Sequence, residues 1–143
     1  MKVLQGFDDP ATRHGYVAIG NFDGVHRGHQ SMFETLCARA REAGVPAVVV
    51  TFDPHPVAVL RPAAAPQPLM TLADRLEHIA QCGPDATIVQ STTPQFLELS
   101  ARAFFDQIVR GRLGARGVVE GEDRKSTRLN SSHSSVSRMP SSA

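Results

Sequence analysis

The stretch Tyr16-Val17-Ala18-Ile19-Gly20-Asn21-Phe22-Asp23-Gly24-Val25-His26-Arg27-Gly28-His29-Gln30 decides how the rest of the chain is read. Its first four residues are an apolar run closed by a glycine, the pattern of a short parallel strand buried on both faces. Glycines at 20, 24 and 28 follow. Without Cβ atoms they permit a tight loop and a close approach of backbone to a ligand. From residue 28 to 43 the period becomes helical. Met32, Phe33, Leu36, Cys37 and Ala40 share one face, and Gly44 is a stop signal. The free N–H groups and positive dipole end of that helix point back at the glycine loop, which makes an anion site. His26 and His29 flank it, and both imidazoles can donate to phosphate oxygens. No Gly-Lys-Ser/Thr follows, so this is not a Walker A loop, and the glycine spacing is not that of the dinucleotide fingerprint.

Working outward, residues 45–52 read as a second strand, with Val48-Val49-Val50 rich in β-branched residues. Prolines at 54, 56, 62, 66 and 68 make the next stretch a loop, because proline neither donates into a ladder nor continues a helix. Thr71 is placed to cap a helix whose apolar face is Leu72, Leu76 and Ile79, and Gly83-Pro84 ends it. Residues 86–89 read as a third strand. Residues 100–110 read as a helix capped by Ser100, with Phe104, Phe105 and Ile108 toward the sheet, and residues 117–120 as a fourth strand. Strands alternating with helices predict an open α/β domain with a parallel sheet, whose ligand crevice lies beyond the carboxyl ends of the strands.

Composition narrows the class. A chain of 143 residues suits one domain. No window approaches the roughly 20 apolar residues of a membrane span, and no basic-then-apolar leader opens the chain. A cytoplasmic protein without a membrane partner is expected. Cys37 and Cys82 cannot build a disulfide framework, and their neighbours suggest no metal knuckle. The net charge of +1 resides in the last 21 residues, with four basic and one acidic; residues 1–122 hold 11 basic and 13 acidic. No nucleic-acid surface is expected from that balance. Oligomeric state is not legible.

Residues 123–143 read Asp-Arg-Lys-Ser-Thr-Arg-Leu-Asn-Ser-Ser-His-Ser-Ser-Val-Ser-Arg-Met-Pro-Ser-Ser-Ala, with eight serines and no helical or strand period. Composition alone reads as a disordered extension. The segment is also similar to an in-frame translation of a common sequencing-library adapter, in two blocks (123–133 and 137–143) separated by the width of an index. Two units are therefore expected, a domain over 1–122 and a non-native or disordered tail over 123–143, with the natural reading frame continuing beyond it. Ser131, Ser132, Ser134, Ser135 and Arg138 receive no functional weight on this reading.

His26-x-Gly28-His29 after a strand resembles the phosphate-gripping motif of the nucleotidylyltransferase superfamily of Rossmann-like folds. The longer segment 20–30, together with Thr51-Phe52-Asp53-Pro54-His55-Pro56, is similar to the prokaryotic bifunctional riboflavin kinase/FAD synthetases, specifically to their N-terminal FMN adenylyltransferase module. Ala65-Pro66, Leu69-Met70-Thr71-Leu72 and Val118-Val119-Glu120-Gly121-Glu122-Asp123 extend the likeness over about residues 1–122. It implies a Rossmann-like nucleotidylyltransferase fold, incomplete at its C-terminal end, that joins FMN and ATP into FAD and pyrophosphate with Mg²⁺. It assigns His26 and His29 as catalytic, and Gly20, Asn21, Phe22, Asp23, Gly24 and Gly28 to ATP. Phe52, Asp53, His55, Pro56 and Asp123 fall to the flavin, while the metal ligands stay unknown.

The family's Phe-Arg-Phe-Gly-like loop, its Ser/Thr-Arg phosphate motif and its β-barrel kinase domain, which phosphorylates riboflavin, are absent from this sequence. Two other readings stay open. One is a nucleotide-binding fragment without catalysis. The other is a different nucleotidylyltransferase with the same histidine motif, such as a cytidylyltransferase, which residues 51–56 disfavour. Bland roles also stand beside the sharp ones: Asp23 as a cap, Asp53 and His55 as turn formers before prolines, Phe52 as plain core. A sheet ending at its fourth strand would leave an unpaired edge, and with it poor solubility.

Overall fold

The structure, a computed structural model, describes residues 1–22, 27–53, 63, 70–120 and 135–138. Its strands are β1 (Lys2–Leu4), β2 (Tyr16–Ile19), β3 (Ala47–Asp53), β4 (Ala86–Ser91), β5 (Gly117–Glu120) and β6 (Ser135–Arg138). The helices are α1 (Arg27–Ala43), α2 (Leu72–Gln81), the one-turn α3 (Pro94–Leu97), and α4 (Ala101–Phe104) running into a π-helical segment, Phe105–Arg112. The strands form one sheet in the order β1-β4-β3-β2-β5-β6. All neighbours are parallel except β5 and β6. The chain leaves β2 toward β3 and β4, then returns to place β5 on the other side of β2. That reversal makes a topological switch point between β2 and β5, and the loop after β2 emerges there.

Alternation along each strand separates two cores. Tyr16, Ala18, Ala47, Val49 and Val119 pack with Phe22, Met32, Phe33, Leu36, Cys37 and Ala40, and with Ile79 of α2. Val17, Val48, Val50, Ile88 and Val118 pack on the other face with Phe7 and with Ile108, Val109 and Leu113. Helices on both faces explain why the strands read as continuous apolar runs rather than as alternating ones. The five residues assigned to the apolar stripe of α1 are all buried.

The ends of the helices follow from local chemistry. Gly44 takes φ +70°, and its N–H donates to Arg41 O while Val45 N–H donates to Ala40 O. This is a Schellman close, which uses the left-handed conformation glycine adopts freely. It also corrects a boundary: Val45 belongs to the helix end, so β3 starts at Ala47 rather than at 45. Thr71 and Ser100 cap as expected, accepting from Asp74 N–H and Ala103 N–H at 3.0 Å each. The expected helix over 100–110 is α-helical for one turn only. It then widens and closes on a bond from Leu113 N–H to Ile108 O.

Three further elements depart from the sequence reading. β1 is too short to show a period; it adds to β4 through backbone pairing, with Leu4 packed against the core. α3, capped by Thr93 with Pro94 in its first turn, fills the link between β4 and α4. β6 pairs antiparallel with β5, Glu120 opposite Ser135, so the edge expected to be bare after the fourth strand is covered over those four residues. Ladder bonds come from the backbone, so a stretch without strand periodicity can still supply them. The rest of 123–143 lies outside the described residues. Among the described residues no helix is long and apolar enough to cross a membrane.

Candidate functional site

Of the residues assigned from sequence, Gly20, Asn21, Phe22, Gly28, His29, Phe52 and Asp53 are described; Asp23, Gly24, His26, His55, Pro56 and Asp123 lie outside the described residues. The described ones converge. Gly20 N–H donates to Val50 O and so keeps the end of β2 registered on β3. Phe52 and Asp53 are the last two residues of β3, and Gly28 and His29 stand in the first turn of α1. All seven therefore sit at the carboxyl edge of adjacent strands, beside the switch point.

Phe22 holds this corner in shape. It takes φ +54°, a conformation that costs a residue with a Cβ roughly 1–2 kcal/mol. Its ring is 5% exposed and meets two rings of α1 edge-on. The His29 imidazole lies at 5.2 Å and 87°, and Phe33 at 4.9 Å and 62°. Edge-to-face pairs contribute about 0.5–1.5 kcal/mol each beyond burial, enough to offset the backbone strain. A Cβ on Gly20 would lie 2.9 Å from Phe22 Cζ and 3.0 Å from Cε1, so the glycine is required by this ring. Buried in this way, the Phe22 ring packs against the His29 and Phe33 rings at the start of α1.

The neighbouring corner is polar. Thr51, fully buried in β3, donates from Oγ1 to Asn21 O at 2.9 Å. The same Oγ1 accepts from Arg75 Nη1 at 3.2 Å, and Nη1 also donates to Phe52 O at 2.9 Å. Arg75 belongs to α2 and is only 6% exposed. Sequence reasoning passed over it, yet a signal exists. Leu72, Arg75, Leu76 and Ile79 follow the i, i+3, i+4, i+7 spacing, so the arginine interrupts an apolar stripe. Asn21 Oδ1, Arg75 Nε and Thr92 Oγ1 are buried and lack a hydrogen-bond partner among the described residues. All three lie at the carboxyl ends of β2, β3 and β4 or on the helix behind them. Buried polar groups are ordinarily satisfied, so these three atoms are the ones a water, an ion or a ligand at this edge would satisfy.

Phe52 turns its ring the other way. It lies 5.9 Å from Phe96 of α3 and 6.3 Å from Phe104 of α4, and those two rings are 5.8 Å apart. All three are half-buried. Phe96 is a second residue the sequence reading omitted, because the one-turn helix that carries it shows no period. The carboxyl edge of the sheet thus has polar groups near β2 and aromatic rings near β3 and β4. Among the described residues no three His, Cys, Asp or Glu side chains come together to hold a metal. Burial pushes the Cys37 and Cys82 thiols up from the ordinary value, which leaves them as protonated hydrophobes rather than nucleophiles.

The family model for FAD synthetase matches residues 8–139. The bifunctional riboflavin kinase/FMN adenylyltransferase of Escherichia coli K12 is 32% identical over 126 residues, covering 86% of this chain and 40% of the relative. That of Pseudomonas fluorescens is 38% identical over 125 residues, with the same coverage of each. That of Bacillus subtilis is 39% identical over 108 residues, 75% of this chain and 34% of the relative. This chain therefore spans about two fifths or less of the length of these relatives. A solved structure described as a macrolide-efflux protein from Streptococcus pneumoniae shares the fold, with a TM-score of 0.67 at 24% identity over 84% of this chain and 41% of that one. With a parallel sheet that reverses at β2 and a family match over nearly its whole length, this chain belongs to the FAD synthetase family.

Proposed function

We propose that this chain carries an FMN adenylyltransferase site, transferring AMP from ATP to FMN to give FAD and pyrophosphate. An oxygen of the FMN phosphate attacks the α-phosphorus of ATP. One P–O bond forms, the bond to the β-phosphate oxygen breaks, and pyrophosphate leaves with the electron pair. Nothing is oxidised, and no covalent enzyme intermediate is needed. What such a reaction demands is alignment of two anions and stabilisation of the charge that builds on the transferring phosphoryl group.

The observation that carries the reading is the corner where β2 ends. The glycine loop, the amino end of α1 and the ring-braced His29 meet there, beside a crevice edged with buried polar orphans. On this reading His29, with His26, holds the triphosphate and stabilises departing pyrophosphate. Gly20, Asn21, Asp23, Gly24 and Gly28 shape the nucleotide pocket, with Phe22 as the brace beneath it. Phe52, Asp53, His55, Pro56 and Asp123 belong to the flavin side, where the Phe52–Phe96–Phe104 cluster provides apolar wall. Magnesium would neutralise phosphate charge. It commonly binds through substrate phosphates, water and one or two carboxylates, so it would arrive held chiefly by the triphosphate. Cytoplasmic location and the riboflavin kinase activity of a longer parent belong to the same proposal.

The test is FAD formation from FMN and ATP, run beside an ATP titration and a parallel reaction with CTP. FAD made from ATP supports the reading. Binding without turnover points to a nucleotide-binding fragment, and preference for CTP to a cytidylyltransferase.

A further inference from the structure

We infer that Arg75 is a positioning residue that ties Asn21, on the nucleotide side beyond β2, to the end of β3, from which the flavin-side residues depart. This rests on the adenylyltransferase reading for what the loops carry, and on geometry for the tie itself. One guanidinium nitrogen, Nη1, reaches both sides. It donates to Phe52 O at the end of β3, and to Thr51 Oγ1, which passes the restraint on by donating to Asn21 O beyond β2. Asn21, just beyond β2, and the end of β3 are thereby linked to one helix by a chain of three hydrogen bonds, two of them from Arg75. The β2–β3 ladder ends at the bond from Gly20 N–H to Val50 O, so beyond it these bonds fix the spacing of Asn21 from the end of β3, and an in-line transfer tolerates little error in the distance between its two phosphates.

The cost of this arrangement argues that it is more than packing. Arg75 is buried, makes no ion pair with a described acidic residue, and keeps Nε without a partner among the described residues. A buried cation without a counter-charge is less favourable than an apolar residue of the same volume. Leucine or methionine at 75 would complete the stripe that Leu72, Leu76 and Ile79 begin. A residue kept for stability alone would be one of those.

The experiment compares the wild-type chain with Arg75→Met, Arg75→Lys, Thr51→Val and the Arg75→Met/Thr51→Val double variant. ATP and FMN binding are read by calorimetry, and amide exchange by mass spectrometry. Arg75→Met should weaken the binding of both substrates about tenfold, the usual effect of losing hydrogen bonds from a charged donor. Lysine, which keeps the charge and a donor, should recover part of it. The double variant should fall short of the sum of the singles, because both act through Thr51 Oγ1. Exchange should accelerate at residues 20–22 and 51–53 while 86–89 keeps wild-type protection. Unchanged binding with equal or greater stability in Arg75→Met would overturn the assignment, as would exchange that rises uniformly or not at all. If wild-type protein binds neither substrate, the adenylyltransferase reading fails, and the exchange pattern alone decides whether Arg75 tethers the loops.

Discussion

Helices α1 and α2 pack on the same face of the sheet, and they use their stripes differently. The stripe of α1 is apolar throughout, and its contribution to the site comes from its amino end, where His29 stands against Phe22. α2 breaks its stripe with Arg75 and brings a buried cation to the strand ends sideways. On the proposed function and the inference drawn for Arg75, one helix is a stable post with a functional tip, while the other gives up apolar contact to hold the strand ends. Stability and activity should therefore separate along α1 and be entangled along α2.

The largest effect that sharpens this contrast is on stability. Leu36→Ala, at a fully buried position midway along α1, should lower unfolding free energy by about 2–5 kcal/mol in a denaturant titration, through lost transfer energy and the cavity left behind. ATP affinity of the folded protein should change little. Loss of affinity in step with stability would erase the difference between the two helices. His29→Ala should do the opposite. Losing one preorganised donor typically removes about 2.7–4 kcal/mol of transition-state stabilisation, so FAD formation should drop roughly 100-fold or more, with the melting midpoint close to wild type.

Gly20→Ala probes the brace between them. Its Cβ would intrude on Phe22 Cζ and Cε1, and the displaced ring would carry His29 with it. About 1–3 kcal/mol of stability should be lost, as for other overpacked sites, together with ATP affinity. Unaltered ATP binding in a folded Gly20→Ala protein would show that Phe22 does not position the imidazole. Ser100→Ala, remote from both helices, should cost about 1 kcal/mol from the lost cap and leave binding alone.

The smallest effect is one of pH. Burial raises the Cys37 and Cys82 thiols above the ordinary 9.0. Above that pH the unfolded chain sheds protons the folded chain keeps, so their contribution is full below 9.0 and declines as pH rises through the folded values. The melting-temperature gap between wild type and Cys37→Ala should narrow from pH 8 to pH 10.

Much of this contrast was legible in the sequence. The α1 stripe, the Gly44 stop, the caps at Thr71 and Ser100 and the convergence of residues 20–22, 28–29 and 52–53 all follow from local patterns, and local patterns are what a sequence displays. Arg75 was missed because a charge on a helix is usually solvated, and only tertiary packing reveals that its stripe faces the sheet. The φ of +54° at Phe22 and its inward-turned ring were not legible, because nothing local announces either. β1 and β6 escaped for a related reason: their pairing is made by backbone to strands distant in sequence, and short segments carry no period.

The central claim is that the corner formed by β2, α1 and the end of β3 transfers AMP to FMN. Its most direct test is chromatographic detection of FAD and pyrophosphate from FMN, ATP and Mg²⁺, using wild-type protein and His29→Ala in parallel. The account predicts equimolar FAD and pyrophosphate with wild type and a rate at least about 100-fold lower with the variant. Equal rates in the two proteins, or no measurable affinity of the wild type for ATP, would contradict it.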